Sequence, residues 1–180
     1  MFVLGIDPGV SRCGYGLVVG PSGDDRAVAA GVITTDVAIA LPIRLATLRA
    51  ELVALIAELT PDVVVVERVL FQTNARTAMS VGQASGIALL SAAEAGLPVI
   101  EYSANEVKLA VAGYGAATKQ QVQSMVAQLL GMAEVPRPPD AADALALAMC
   151  HLAHQRIDTL VAGATERIKL AESLAAEVAR

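Results

Sequence analysis

The stretch VLGIDPGVSRCGYGLV, residues 3–18, ends an apolar run on an aspartate and follows it at once with Pro8 and Gly9. Residues before Asp7 predict a strand, Pro-Gly a tight turn, and GYGLVVG, residues 14–20, an antiparallel return. Gly14 and Gly16 start that return with little bulk beside the aspartate. A carboxylate at this place cannot be buried unpaired without a large cost. Asp7 is therefore either a turn former before Pro-Gly or one part of a site that holds a cation.

RAVAAGVITTD, residues 26–36, predicts a third strand of the opening meander. Leu45, Leu48, Leu52, Leu55, Ile56 and Leu59 then recur at three and four, and with Pro42 in the first turn they predict a helix over 42–60. PDVVVVE, residues 61–67, is a continuous apolar run of the kind found in a central strand covered on both faces. A long helix from about Thr73 to Ala95, a strand at 98–103 and short helices at 103–112 and 118–130 follow. After RPPD, residues 140–155 form a helix with an apolar stripe of Ala141, Ala144, Leu145, Ala148, Met149 and Leu152. This order predicts an α/β fold with a mixed five-stranded sheet flanked by helices over residues 1–157, and a helical or frayed tail over 158–180.

The 180 residues are 55 % hydrophobic and 17 % charged, which suits one compact domain. Apolar runs stop well short of the roughly 20 residues that cross a membrane, and the start MFVLGID has no basic leader, so a cytoplasmic protein is expected. Cys13 and Cys150 lack the spacing of a zinc site or a disulfide framework. A net charge of −5 argues against a general polyanion binder. Locally the balance differs: Lys108 and Lys119 fall in the span 105–120, where Glu106 is the only acid.

Asp7 and Glu67 each end a predicted strand, and those strands are expected to be neighbours, with their carboxyl ends opening a crevice. Asp140 and Asp143 sit at i and i+3 on one helix face. Each acid has a plainer role available: Asp140 as a helix cap, Glu67 as a partner of Arg68 or Arg76, Asp7 as a turn former, and Asp143 more weakly as a first-turn residue, since it faces close to the apolar stripe. Jointly the four would repel unless a cation sat among them. Magnesium, a hard ion that takes carboxylate oxygens, suits the set, and two ions about 3.5–4 Å apart clamp both oxygens of a phosphoryl displacement. No G-x-x-x-x-G-K-[ST] loop competes, and His151 and His154 fall late on the last helix.

Five segments then carry a resemblance: GIDPG with CGYG (residues 5–9 and 13–16), VVVVERV (63–69), NARTAMSVGQASG (74–86), EVKLAVAGYGAATKQQV (106–122) and PDAADALALAMCH (139–151). In this order they resemble the RuvC family of bacterial Holliday junction resolvases. The resemblance implies an RNase H-like fold, with Asp7, Glu67, Asp140 and Asp143 as the catalytic, metal-binding carboxylates. It implies Mg²⁺ as cofactor, with Mn²⁺ able to substitute, and Lys108 and Lys119 supporting the scissile phosphate and flanking DNA. It further implies a homodimer that cuts a four-way junction by paired symmetric nicks, with a RuvA and RuvB branch-migration complex as a candidate partner. The small-residue helix 77–96 would form the dimer seam, although its alanines serve close packing on the sheet equally well. One position departs from the family pattern. The aromatic residue that stacks on an unpaired base three places after the glutamate is here Leu70, with Phe71 one later, and both join Arg76 as candidate DNA contacts.

Two other readings suit part of the sequence. DPGVSRCG is compatible with an ATP-binding protein of the actin and sugar-kinase type, although no second Asp-x-Gly-Gly loop follows. A non-catalytic junction-binding scaffold is the other, but a pure phosphate binder gains nothing from carboxylates in its groove.

Overall fold

The central strands β1 (Phe2–Asp7) and β4 (Val63–Glu67) lie parallel and side by side, because their apolar runs are long enough to be covered on both faces. The structure is a computed structural model that describes residues 1–20, 24–69 and 75–178, with positions 75–77 and 170–178 described by their backbone alone. With β2 (Arg12–Val19), β3 (Arg26–Thr34) and β5 (Val99–Tyr102), the strands form one five-stranded sheet in the order β3-β2-β1-β4-β5. The meander β1-β2-β3 is antiparallel, and β4 and β5 extend it in parallel.

Strand alternation divides the core in two. Leu4, Ile6, Val64 and Val66 face α1 (Leu41–Leu59) and α2 (Ala75–Glu94), where Leu48, Leu52, Ile56, Ala84, Ala88 and Ala92 are buried. Val3, Val63 and Val65 face α3 (Ala104–Ala112), α4 (Lys119–Leu129) and α5 (Pro139–Val178). Each fully buried Val or Leu contributes roughly 1.5–3 kcal/mol of transfer free energy, so a one-residue slip of either central strand would exchange its two faces at a prohibitive cost. On α2 the alanines at every fourth position pack on the sheet, while Gly82 and Gly86 face open space.

Capping boxes fix the starts of the two lysine-bearing helices. Ser103 and Glu106 exchange bonds at the head of α3, and Thr118 and Gln121 do the same at α4. Glu106, the one acid of the lysine span, is thereby used as a cap, and its hydrogen bonds with Ser103 hold its carboxyl below the ordinary range. Helix α5 runs unbroken to Val178, and from Ile157 to Lys169 its side chains are exposed.

Helix α1 ends on Thr60 in the left-handed region at φ 43°, a conformation that a β-branched residue adopts only under strain. Replacing it by the residue this position favours, Thr60→Gly, is expected to stabilise the fold by about 0.5–1 kcal/mol after the entropy of glycine is counted. A raised thermal midpoint checks this. The change lies at the opposite end of β4 from Glu67, so activity should be unchanged.

Candidate active site

Ile6 pairs with Val66, so Asp7 and Glu67 emerge side by side from the carboxyl ends of the two central strands. Two-residue alternation turns both toward the face covered by α3, α4 and α5. Helix α5 comes down close on that face because glycines lie beneath it. A Cβ on Gly5 would sit 2.0 Å from the carbonyl oxygen of Ala144, and one on Gly14 would sit 2.1 Å from that of Asp140. Gly16 likewise leaves room for Leu145, whose side chain a Cβ would meet at 2.7 Å. This glycine-lined trough brings the first turn of α5, with Asp140 and Asp143, against the strand ends.

Asp7, Glu67, Asp143, Lys108 and Lys119 border one cavity of about 290 Å³ with apolar walls that include Val107, Val122 and Leu147. Asp140 stands to one side, where its Oδ2 accepts from Arg12 Nη2 at 2.8 Å and Nε at 3.1 Å. Lys119 Nζ lies 2.5 Å from Asp143 Oδ2, and Gln123 Nε2 donates to Asp143 Oδ1 at 3.3 Å. Arg68 turns away from Glu67, donating to the Glu101 carbonyl at 2.9 Å, so the ion pair that would have given Glu67 a purely structural role is not formed with Arg68.

The charge balance is unfavourable to carboxylates. Burial, and then the Glu67 and Asp143 carboxylates, push Asp7 up to about 7, with Lys119 opposing. Burial and Asp143 raise Glu67 in the same way, again against Lys119. Burial also works against an ionised Asp140, but hydrogen bonding and charge from Arg12 hold it below its ordinary value. Partial burial would lower Lys119, yet its bond to Asp143 and the surrounding carboxylates raise it overall. Since Lys119 is the cation that favours ionised Asp7, Lys119→Met should move the Asp7 titration midpoint, followed by carboxyl-carbon NMR, above 7. An unchanged or lower midpoint would contradict this electrostatic reading.

A metal fits the chemistry of these donors. They are oxygen ligands only, and Asp7 is raised to about 7 even with Lys119 opposing, so the set as it stands carries more negative charge than its own cations offset, which favours a hard divalent ion. Among the described residues no three Asp, Glu, His or Cys side chains are already gathered as a ligand set. Two of the four carboxylates are instead held by the chain's own cations, Arg12 and Lys119.

Arg12, Gln123 and Gly5 join this site without having been expected there. Gln123 had a visible signal, since it follows Lys119 by four on one helix face. Arg12 pairs across 128 residues of sequence, which no local pattern reveals. Leu70 and Phe71 lie outside the described residues, and Arg76 is placed by its backbone in the first turn of α2.

A mixed sheet of this order, with acids at the ends of its two central parallel strands and on the helix laid across them, defines an RNase H-like α/β protein with an acidic centre. The family described as crossover junction endodeoxyribonuclease RuvC matches residues 3–151. The chain is 47 % identical over 161 residues to the RuvC of Syntrophomonas wolfei, covering 89 % of this chain and 94 % of that one. It is 50 % identical over 170 residues to that of Salinispora arenicola, covering 94 % and 97 %. Among solved structures it is similar to T. thermophilus RuvC in complex with Holliday junction substrate, with a TM-score of 0.82, 38 % identity and coverage of 88 % and 97 %. The chain belongs to the RuvC family. That membership decides against the ATP-binding alternative. Among the described residues no helix is long and apolar enough to cross a membrane.

Proposed function

We propose that this chain is a Mg²⁺-dependent endodeoxyribonuclease that resolves four-way DNA junctions by paired symmetric nicks in recombination and repair. The observation that carries the reading is the cavity where Asp7, Glu67 and Asp143 meet Lys108 and Lys119, in a member of the RuvC family. Asp7, Glu67, Asp140 and Asp143 would hold two divalent ions, Mg²⁺ or in its place Mn²⁺. Bound there, the ions supply Lewis acidity toward the scissile phosphate and the attacking water. Lys108 and Lys119 hold ammonium groups where a phosphodiester under attack gains negative charge, a preorganised stabilisation that needs no rearrangement during the reaction. The apolar walls limit water in the cavity and so strengthen these interactions. In-line attack on phosphorus breaks the bond to the 3′ oxygen and leaves a 3′-hydroxyl and a 5′-phosphate that a ligase can join.

A four-way junction has two-fold symmetry, and a closed two-fold homodimer matches it. Gly82 and Gly86, with the exposed side chains of Met79 and Leu90, make the outer face of α2 the candidate seam. Residues 1–157 form the nuclease unit, and the exposed end of α5 is an appendage to it. Leu70 or Phe71 wedges at the junction and Arg76 contacts DNA; the protein acts in the cytoplasm with RuvA and RuvB. The test is incubation of a synthetic four-way junction and a linear duplex of the same sequence with Mg²⁺ or Mn²⁺. Nicks in two like-polarity strands of the junction alone are expected. Binding without product in both metals would replace the enzyme by a scaffold.

A further inference from the structure

The two cation contacts at the acidic centre differ in kind. Lys119 reaches Asp143 from inside the cavity, whereas Arg12 reaches Asp140 from the rim, half-exposed, with both Nε and Nη2 on the single oxygen Oδ2. The backbone that carries Arg12 is fixed independently of this contact. Arg44 donates to Ser11 Oγ at 2.6 Å and to Thr35 Oγ1 at 2.9 Å, and Thr35 in turn donates to the Val10 carbonyl at 2.5 Å. The turn before β2 is therefore tied down, while the Arg12 side chain beyond it is fastened at Asp140 alone among the described residues. An exposed ion pair of this sort is weak enough to exchange.

We infer that Arg12 is the resident counter-cation of Asp140, a positioning residue that holds this carboxylate beside the cavity until a divalent cation displaces it. The inference rests on the reading of the four carboxylates as a metal site. Two features support it. The backbone of Asp140 is seated on Gly14, so the loss of Arg12 would leave the helix turn in place. Finally, a guanidinium cannot lose its proton at any working pH, so it leaves Asp140 only by exchange with another cation and not by neutralisation. Arg12 thereby competes with the metal and sets its affinity.

The test measures Mn²⁺ binding to DNA-free protein by electron paramagnetic resonance, with parent and Arg12→Gln compared. Arg12→Gln should bind Mn²⁺ about 3- to 5-fold more tightly while its metal-free thermal midpoint falls. Equal or weaker binding would overturn the inference, since Arg12 would then be a structural tie or a support of the bound state. A second measurement uses the parent alone and does not depend on the variant folding. The Arg12 Nε–Hε resonance should be protected from exchange without metal and lose that protection during a Mg²⁺ titration. A resonance unchanged at saturating Mg²⁺ would show that no displacement occurs. If the parent binds neither ion, the metal-site reading itself fails, and Arg12 with it, whereas Mn²⁺ binding that is indifferent to Arg12 removes only the inference drawn here.

Discussion

Asp7→Asn is expected to abolish junction cleavage, by at least about 10³-fold, and at the same time to make the metal-free protein more stable at pH 8. Both effects have one cause. Burial and two neighbouring carboxylates raise Asp7 from 3.8 to about 7, so between these values the folded chain holds a proton that the unfolded chain has released. Stability from this group is therefore full below about pH 4 and is lost as pH rises through about 7. At pH 8 the ionised carboxylate is a net cost, and asparagine, which keeps the shape without the charge, should recover roughly 2–4 kcal/mol of it, on the basis of about 1.4 kcal/mol per pKa unit. Thermal unfolding of parent and variant checks this: the midpoints should lie close together at pH 4, begin to part by pH 5 and separate by about 5–10 °C at pH 8. Adding Mg²⁺ at pH 8 should raise the parent and barely move the variant, because a ligand that binds the folded state alone stabilises it by mass action. Equal stability at pH 8 would mean that the acids are too far apart, or too well solvated, to form a cation site. A site that is less stable without its ligand is a common consequence of placing function above stability.

The second large effect concerns a residue without a side chain. Gly5→Ala would put a Cβ 2.0 Å from the Ala144 carbonyl oxygen and 3.0 Å from the Ala148 nitrogen. These are backbone atoms of a helix and cannot rotate aside, so α5 must lift from the sheet. Overpacking of this degree is expected to cost about 3 kcal/mol. Because Asp143 is carried on the lifted helix, cleavage should fall by about 10²-fold even in the fraction that remains folded, the loss that accompanies a misplacement of about 1 Å. Urea unfolding and single-turnover cleavage, both at saturating Mg²⁺, measure the two losses. A Gly5→Ala protein of parental stability would mean that α5 does not sit on β1 as closely as described.

How much of this was legible in the sequence depends on the range of the interaction concerned. The sheet follows from patterns a few residues long: the apolar run before Asp7, the four valines before Glu67, and turn residues between the first strands. Helix α1, expected over 42–60, runs from Leu41 to Leu59, and α3 and α4 begin at their capping residues much as their sequences suggest. The four acids could be selected because strand ends and an i, i+3 spacing are local features, and the structure places three of them on one cavity with the fourth beside it.

Features that join distant segments stayed hidden. Gly14 and Gly16 were legible as absent bulk, but nothing near Gly5 announces that the turn carrying Ala144 rests on it. The pairing of Arg12 with Asp140 is equally invisible, since either residue alone has an ordinary reading as a turn residue or a helix cap. Helix α5 runs on where a helical and a frayed tail from 158 were both open, because an Ala-, Glu- and Leu-rich segment has high helix propensity and no proline or capping glycine stops it. Its polar content instead shows in exposure, which begins at Ile157.

On the proposed function, the cavity bordered by Asp7, Glu67 and Asp143 is where a four-way junction is cut. Single-turnover cleavage of a synthetic junction in Mg²⁺ by parent and Asp7→Asn, with junction binding measured on the same preparations, tests it most directly. Both proteins should bind the junction, and only the parent should nick it. An Asp7→Asn protein that binds and cuts at the parent's rate would contradict it.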